Sequence, residues 1–287
     1  MKVGIIGAGA WGTALAICAA RGGTDVVLWS RDGQCAHFDG VEMPAKINLT
    51  SDISELADMD AWLIATPAAF FEETLTRARE YYRGVPIVIC TKGADPKTGD
   101  FTSEMLARVL PSCTEYGVLS GPQFAGEVAA SVPTGSTIAG TPAARHIAHD
   151  VLKCLFLEDS DDIIGTQICG VGKNAVALIC GYLSIAGSGE NERAMTFTRA
   201  WGEVMNIGMA LGAQMRTFLS LCGIGDLFLS ATSETSRNFS GGMAIARGMP
   251  PAGTVEGIFA LRGLVRRAAA LGVETPILNR LKECMKI

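Results

Sequence analysis

The sequence predicts an α/β first half, built as a doubly wound parallel sheet, followed by an all-α second half. Three observations carry this. The apolar strand Lys2–Ile6 runs straight into a glycine-rich turn and an Ala-rich helical stretch. Apolar strand-length runs then alternate with amphipathic segments. Around Gly165 that alternation stops and only helical periodicity follows. The boundary is placed there, giving domains 1–165 and 166–287.

The first elements are strand Lys2–Ile6, the turn Gly7-Ala8-Gly9-Ala10-Trp11-Gly12, a helix over 13–21 and strand Asp25–Trp29. Strand, glycine turn, helix, strand is the context of a Rossmann-like dinucleotide site. Gly7 permits the tight turn, Gly9 lets backbone approach a pyrophosphate, and Gly12 allows close helix–strand packing. The helix N-terminus offers unpaired N–H groups to phosphate. An NAD site usually has an acidic residue at the end of the second strand, on the ribose diol. Here Arg31 follows Trp29-Ser30, with Asp32 only after it. Arg31 pairing with a 2′-phosphate favours NADP or dual use; Arg31 solvated or stacked on adenine is the alternative.

Strands at 61–65 and 86–90 follow, with a helix over 70–82 between them, and their apolar continuity implies a sheet buried on both faces. Ala65-Thr66-Pro67 and Thr91-Lys92-Gly93 fall at carboxyl ends of strands, where open parallel sheets bind ligands. Lys92 is therefore a site candidate, against an ordinary surface lysine. Ser120-Gly121-Pro122-Gln123-Phe124-Ala125 follows a strand at 116–119. A Ser/Thr-rich strand at 133–139, read as antiparallel, a helix over 145–155 and a last short strand at 163–164 complete the half.

In the second half, Gly172-Lys173-Asn174 is read as heading a buried apolar helix over 175–185. Desolvation lowers a lysine's pKa and suits it to proton transfer. The three histidines, His37, His146 and His149, lie near no motif, so lysine is the available group. The alternative is a snorkelling helix-end lysine. Gly223-Ile224-Gly225-Asp226, with Ser236-Arg237-Asn238 shortly after, sets a carboxylate, hydroxyl, guanidinium and amide in one segment. The Arg fork suits a phosphate-like anion, with Ser and Asn donors beside it. Against this stands a polar linker with Asp226 as a cap and Arg237 solvated.

Composition narrows the classes. The chain has 287 residues, 48% hydrophobic and 18% charged, with net charge -5. That charge gives no expectation of nucleic-acid or acidic-membrane binding. Nine cysteines without metal spacing suggest no zinc and no disulfide framework, hence reduced, mostly buried thiols, Cys90, Cys180 and Cys222 among them. No leader and no uninterrupted apolar run of membrane-spanning length is apparent, so the expected location is cytoplasmic without stable membrane insertion.

The glycine turn through Ala14, with Thr91-Lys92-Gly93, Ser120-Gly121-Pro122, Lys173-Asn174, Thr198-Arg199, Gly223-Ile224-Gly225-Asp226-Leu227, Ser236-Arg237-Asn238 and Val255-Glu256-Gly257, spans nearly the whole chain. In this order the segments resemble the NAD(P)-dependent glycerol-3-phosphate dehydrogenase family of the soluble bacterial type. The resemblance implies that Lys173 exchanges the proton, with Lys92 and Asp226 orienting polar groups. It places Lys92, Gly121, Gln123, Lys173, Asn174, Asp226, Ser230, Ser236, Arg237 and Asn238 around the substrate. It assigns Gly7, Gly9, Ala10, Trp11, Gly12, Arg31, Pro67, Lys92, Ala125, Arg237 and Glu256 to NAD or NADP, and no metal.

It further implies interconversion of sn-glycerol 3-phosphate and dihydroxyacetone phosphate, supply of glycerol 3-phosphate for phospholipid synthesis, and a homodimer. The sequence departs from the family at Gln123, where Ser or Thr is usual, and at Ser230, where Thr is common. Ala200 stands for the usual Gly, the 32–48 segment is short, and the usual final helices are lacking at Ile287. Two rival readings are a dehydrogenase of the same architecture for a 3-hydroxy acid or ketopantoate-like substrate, and a non-catalytic dinucleotide-binding sensor.

Overall fold

In the computed structural model, which describes residues 1–287, the apolar runs of the first half pair into one sheet. Its strands are β1 (Lys2–Ile6), β2 (Asp25–Trp29), β3 (Ile47–Thr50), β4 (Ala61–Ile64), β5 (Ile87–Ile89), β6 (Tyr116–Ser120), β7 (Thr134–Gly140) and β8 (Leu155–Ser160). Their order is β3-β2-β1-β4-β5-β6-β7-β8, parallel except for the antiparallel β6–β7 pair. Alternate residues of each central strand face opposite helical layers, so the strands read as unbroken apolar runs. Val3, Ile5, Val26, Leu28 and Leu63 pack with helices α1 (Ala10–Arg21), α4 (Ala125–Ala129) and α5 (Pro142–Val151). Ile6, Val27, Trp29, Trp62 and Ile64 pack with α2 (Ala68–Ala78) and α3 (Thr102–Val109).

The second half is helical: α6 (Ile163–Ile185), α7 (Glu190–Ala210), α8 (Asp226–Thr232), α9 (Arg237–Ala246), α10 (Glu256–Leu271) and α11 (Pro276–Cys284). The buried Glu203 carboxylate of α7 accepts from the backbone N–H groups of Ile277 and Leu278, at 2.8 and 2.9 Å. It thereby satisfies orphan donors at the start of α11 and complements the helix dipole. Helices α6 and α9 cross almost backbone to backbone. A Cβ on Gly181 would meet the Phe239 carbonyl oxygen at 1.9 Å, and one on Gly242 the Leu178 carbonyl oxygen at 2.0 Å.

The chain divides into two compact units. One comprises residues 1–92 and 101–163, the other residues 93–100 and 164–287. Segment 93–100, which sequence order puts in the first half, thus groups with the helices. Arg267 Nη1 of α10 donates to the Gly99 carbonyl at 3.1 Å, and Arg266 Nη1 donates to that of Lys97.

Four expectations need correction. Residues 163–164 are not a strand; they begin α6, and the last strand is β8, which the sequence reading assigned in part to a helix. Strand β8 pairs only with β7, its Phe156 is 67% exposed, and its sequence ends Glu158-Asp159-Ser160, so it lacks the apolar run of a central strand. Lys173 is not at a helix head but inside α6, because Gly165, Gly170 and Gly172 do not interrupt it. That continuous helix is long and apolar enough to cross a membrane by length and composition, although 72% of its apolar window is buried inside the protein. Finally, Cys18 of α1 and Cys154 are disulfide-bonded across 136 residues, a pairing that sequence spacing does not signal; seven cysteines are free, with Cys90 and Cys222 buried and Cys180 partly so.

The α6–α9 crossing yields a prediction. In Gly242→Ala the new methyl meets backbone atoms, which cannot rotate away, so the helices must separate at about 1–3 kcal/mol. A thermal melt is expected to show a midpoint several degrees lower. Gly202→Ala, in α7 with nothing within 4 Å of its Cβ position, is expected to hold or raise it. Equal midpoints for wild type and Gly242→Ala would contradict the crossing.

Candidate active site

In the sheet unit the candidate residues gather at the carboxyl ends of β1, β4, β5 and β6. Gly7 has φ +108°, a conformation that side chains rarely adopt. A Cβ on Gly12 would meet the Gly7 carbonyl oxygen at 1.8 Å, so α1 can start this close to β1 only with glycine there. Gly9 has nothing within 4 Å of its Cβ position, leaving open space beside the helix start at Ala10. This cradle fits a dinucleotide pyrophosphate. The Trp11 indole N–H reaches the Cys90 carbonyl at 3.1 Å, tying α1 to the end of β5.

The 32–48 segment folds back on the same turn. The Ala36 N–H donates to the Ala8 carbonyl at 3.1 Å and to Thr13 Oγ1 at 3.2 Å. Asp32 does not present a free carboxylate at the end of β2. Its Oδ1 accepts from Ser30 Oγ and from the Gln34 N–H, both at 3.2 Å, and so closes a local turn. The Arg31 guanidinium instead lies 5.2 Å from the Phe70 ring centroid, in a cation–π contact.

Lys92 Nζ donates to the Gly121 carbonyl at 2.6 Å, so this lysine is drawn to the end of β6 rather than into solvent. Pro67 precedes α2 as its N-cap, and Ala125 is the first residue of α4. Gln123 turns its amide inward: Nε2 donates to Ser136 Oγ, and Oε1 is buried without a partner. Two more buried hydroxyls, Thr66 Oγ1 and Ser120 Oγ, also lack partners at the ends of β4 and β6. Buried polar atoms of this kind call for a ligand or water. Thr91 Oγ1, by contrast, bonds the Ile64 and Thr66 carbonyls at 3.2 and 2.8 Å. Ser136 and Phe70 escaped the sequence reading, because nothing in the sequence distinguishes them from ordinary strand and helix residues.

In the helical unit, Lys173 Nζ lies 3.1 Å from Asp226 Oδ1 and donates to Ser230 Oγ at 2.9 Å. Their side chains are 12% exposed for Lys173 and 1% for Asp226. Asp226 is therefore more than a cap. A π turn over Leu221–Gly225, with Gly223 at non-helical φ and ψ, delivers it to the start of α8. Ser230, one turn later, has its hydroxyl 3.4 Å from the same carboxylate oxygen. Lysine, carboxylate and hydroxyl form one hydrogen-bonded group.

Asn174, the next residue on α6, takes another direction. Its Oδ1 accepts from Asn238 Nδ2, and Asn238 Oδ1 accepts from the Gly257 N–H, both at 2.8 Å. This chain ties α6, α9 and α10 together. One amide hydrogen of Asn238 and its oxygen are engaged inside the protein, which leaves the second amide hydrogen as the donor it can offer an anion. Ser236 is the N-cap of α9, accepting from the Phe239 N–H at 3.4 Å. Arg237 is exposed and makes no side-chain hydrogen bond or ion pair, so of the Ser-Arg-Asn triplet its guanidinium is the group left for a ligand. Burial pushes the Glu256 carboxyl up from its ordinary value, and the Arg237 charge pulls the other way.

With this geometry in hand, comparisons with known proteins are specific. The family model described as NAD-dependent glycerol-3-phosphate dehydrogenase N-terminus matches residues 2–145, and its C-terminus counterpart matches residues 162–286. A glycerol-3-phosphate dehydrogenase (NAD(P)+) of Methylobacterium radiotolerans is 36% identical, over 96% of this chain and 89% of its own length. One of Paramagnetospirillum magneticum is 38% identical over 87% and 96%. The crystal structure of glycerol-3-phosphate dehydrogenase from Coxiella burnetii is 28% identical with a TM-score of 0.90, over 99% of this chain and 94% of that one. The chain belongs to the NAD-dependent glycerol-3-phosphate dehydrogenase family.

Proposed function

We propose that this protein is an oxidoreductase interconverting sn-glycerol 3-phosphate and dihydroxyacetone phosphate with NAD(H) or NADP(H). The observation that carries the reading is the Lys173 amine, nearly buried and hydrogen-bonded to Ser230 beside the Asp226 carboxylate. A proton exchanger has to be held at fixed geometry, shielded from bulk water and charge-compensated. A nicotinamide dinucleotide held over the Gly7–Gly12 turn would provide the hydride donor or acceptor for substrate C2. Lys173 gives a proton to the C2 oxygen during reduction and takes it back during oxidation. Asp226 balances the charge at the amine, and Ser230 fixes its direction. Arg237 forks the phosphate as the residue of its triplet with an unengaged side chain. Lys92, braced on the Gly121 carbonyl, orients polar groups at the sheet edge.

The physiological role we infer is supply of glycerol 3-phosphate for phospholipid synthesis, in the cytoplasm and as a homodimer. Family membership supports this reading. The charge of -5 agrees with a protein that does not seek nucleic acid or anionic membranes. The family match and the unengaged Arg237 fork favour a phosphorylated substrate over a 3-hydroxy acid or ketopantoate.

The test is a spectrophotometric assay with dihydroxyacetone phosphate and each reduced cofactor. Lys173→Ala is expected to lower kcat by about two to four orders of magnitude while NADH or NADPH still binds. Turnover near the wild-type level would reject the proton role. For the cofactor, Arg31 is the cation at the end of β2 and Asp32 is engaged in a turn, which favours NADPH. Arg31→Ala is expected to raise the KM for NADPH about tenfold and leave that for NADH within about twofold. Equal effects on both would remove the 2′-phosphate assignment.

Glu256 yields a pH prediction for the cofactor-free protein. A carboxyl whose folded value lies above its unfolded one binds more protons in the native state, so stability falls as pH rises through that interval. Glu256→Gln is expected to flatten this part of the stability curve. The variant melts higher than wild type at neutral pH, and the difference closes below the ordinary carboxylate range. A variant that melts lower at neutral pH would show that the Arg237 charge outweighs burial.

A further inference from the structure

Among α6, α7, α8 and α9 lies a cavity of about 340 Å³. Its wall includes Cys180 and Ser184 of α6, Arg193 and Phe197 of α7, Thr232 of α8 and Phe239 of α9. It belongs to the helical unit alone and is separate from the proton-exchanging group. Cys180 and Ser184 lie about two and three turns beyond Lys173 along α6.

Arg193 is the informative member. Its side chain is half-buried, yet it makes no hydrogen bond or ion pair with the rest of the protein. Burial pushes the neighbouring Cys180 thiol up to about 12, with the Arg193 charge opposing. That thiol is therefore neutral and supplies no counter-charge. A partly desolvated guanidinium that bonds no carboxylate, in a wall shared with Phe197 and Phe239, leaves a favourable interaction unmade.

The remaining lining restricts what would complete it. Phe197, Phe239, Ala194 and Ala231 offer apolar surface for a hydrocarbon body. Glu190 is also in the wall, so the ionisable groups sum to zero and a polyanion such as a nucleotide is disfavoured. The volume is at the small end of ligand sites, which span roughly 300–1,000 Å³.

We propose that this cavity binds a medium-chain aliphatic carboxylate, its head on the Arg193 guanidinium and its chain between Phe197 and Phe239. The inference stands whether or not the proposed reaction is right, since it uses none of the reacting residues. Phe239 directly follows Arg237 and Asn238 in α9, and Thr232 ends the helix that Asp226 begins. An occupied cavity would thus touch the two helices that carry the anion fork and the carboxylate.

The experiment is calorimetric titration of the full chain with octanoate, alone and with saturating NADP and glycerol 3-phosphate. One saturable site per chain is expected, with an affinity little changed by the reaction's own ligands. Arg193→Gln is expected to weaken octanoate about tenfold or more, the loss that follows removal of a charge-assisted hydrogen bond. Octanamide, with the same chain and no charge, is expected to bind more weakly than octanoate to wild type but equally to Arg193→Gln. Ala194→Phe, at an exposed position in the wall, keeps the guanidinium and fills the space; it is expected to abolish binding. Absence of saturable binding, displacement of octanoate by glycerol 3-phosphate, or equal affinity in wild type and Arg193→Gln would each overturn the proposal.

Discussion

Lys173 puts an ammonium inside a helix that is otherwise one of the most apolar segments of the protein, and the helical half is arranged around the carboxylate that compensates it. Removing one partner of such a buried pair costs about 3–5 kcal/mol, because the other charge is left unpaired. Asp226 can reach the amine because the π turn over Leu221–Gly225 departs from helical geometry just before α8 begins. Ser230 then adds a neutral donor–acceptor one turn along. The same arrangement that makes burial of the lysine tolerable gives its amine a fixed direction.

The next residue makes α6 a hub. Lys173 engages α8, while Asn174 engages α9 and, through Asn238, the backbone of α10 at Gly257. Side-chain amides suit this role because each offers a donor and an acceptor at once. The Asn174–Asn238–Gly257 chain fixes the first turn of α9, where Arg237 sits, against the helix that bears the lysine. Arg237 and the Lys173 amine are thus carried on helices held in one frame.

The glycine turn was legible because its steric demands leave few alternatives, and the buried strands because both their faces meet helices. The antiparallel sense of β7 also came through. What escaped were features in which tertiary context overrides local pattern. Strand β8 carries acidic residues and an exposed Phe156 at the sheet edge, so it resembles a loop. Gly172 reads as a helix start but sits inside α6 and serves helix packing instead; a Cβ there would strike Val204 at 2.3 Å. The Cys18–Cys154 bond depends on the meeting of α1 with the turn before β8, which no local spacing encodes. Lys173 and Asp226 stand out in the sequence and meet in the structure, whereas the internal engagement of Asn238 and Asp32 needed the fold.

The ribbon changes unit three times: after Lys92, after Asp100 and after Ile163. A chimera that exchanged halves with a relative at one splice point would carry the 93–100 loop with the sheet and deprive Arg266 and Arg267 of the carbonyls they hold. Modular exchange in this architecture must therefore move two stretches of sequence together, so recombination between relatives is constrained even where both halves are individually compatible.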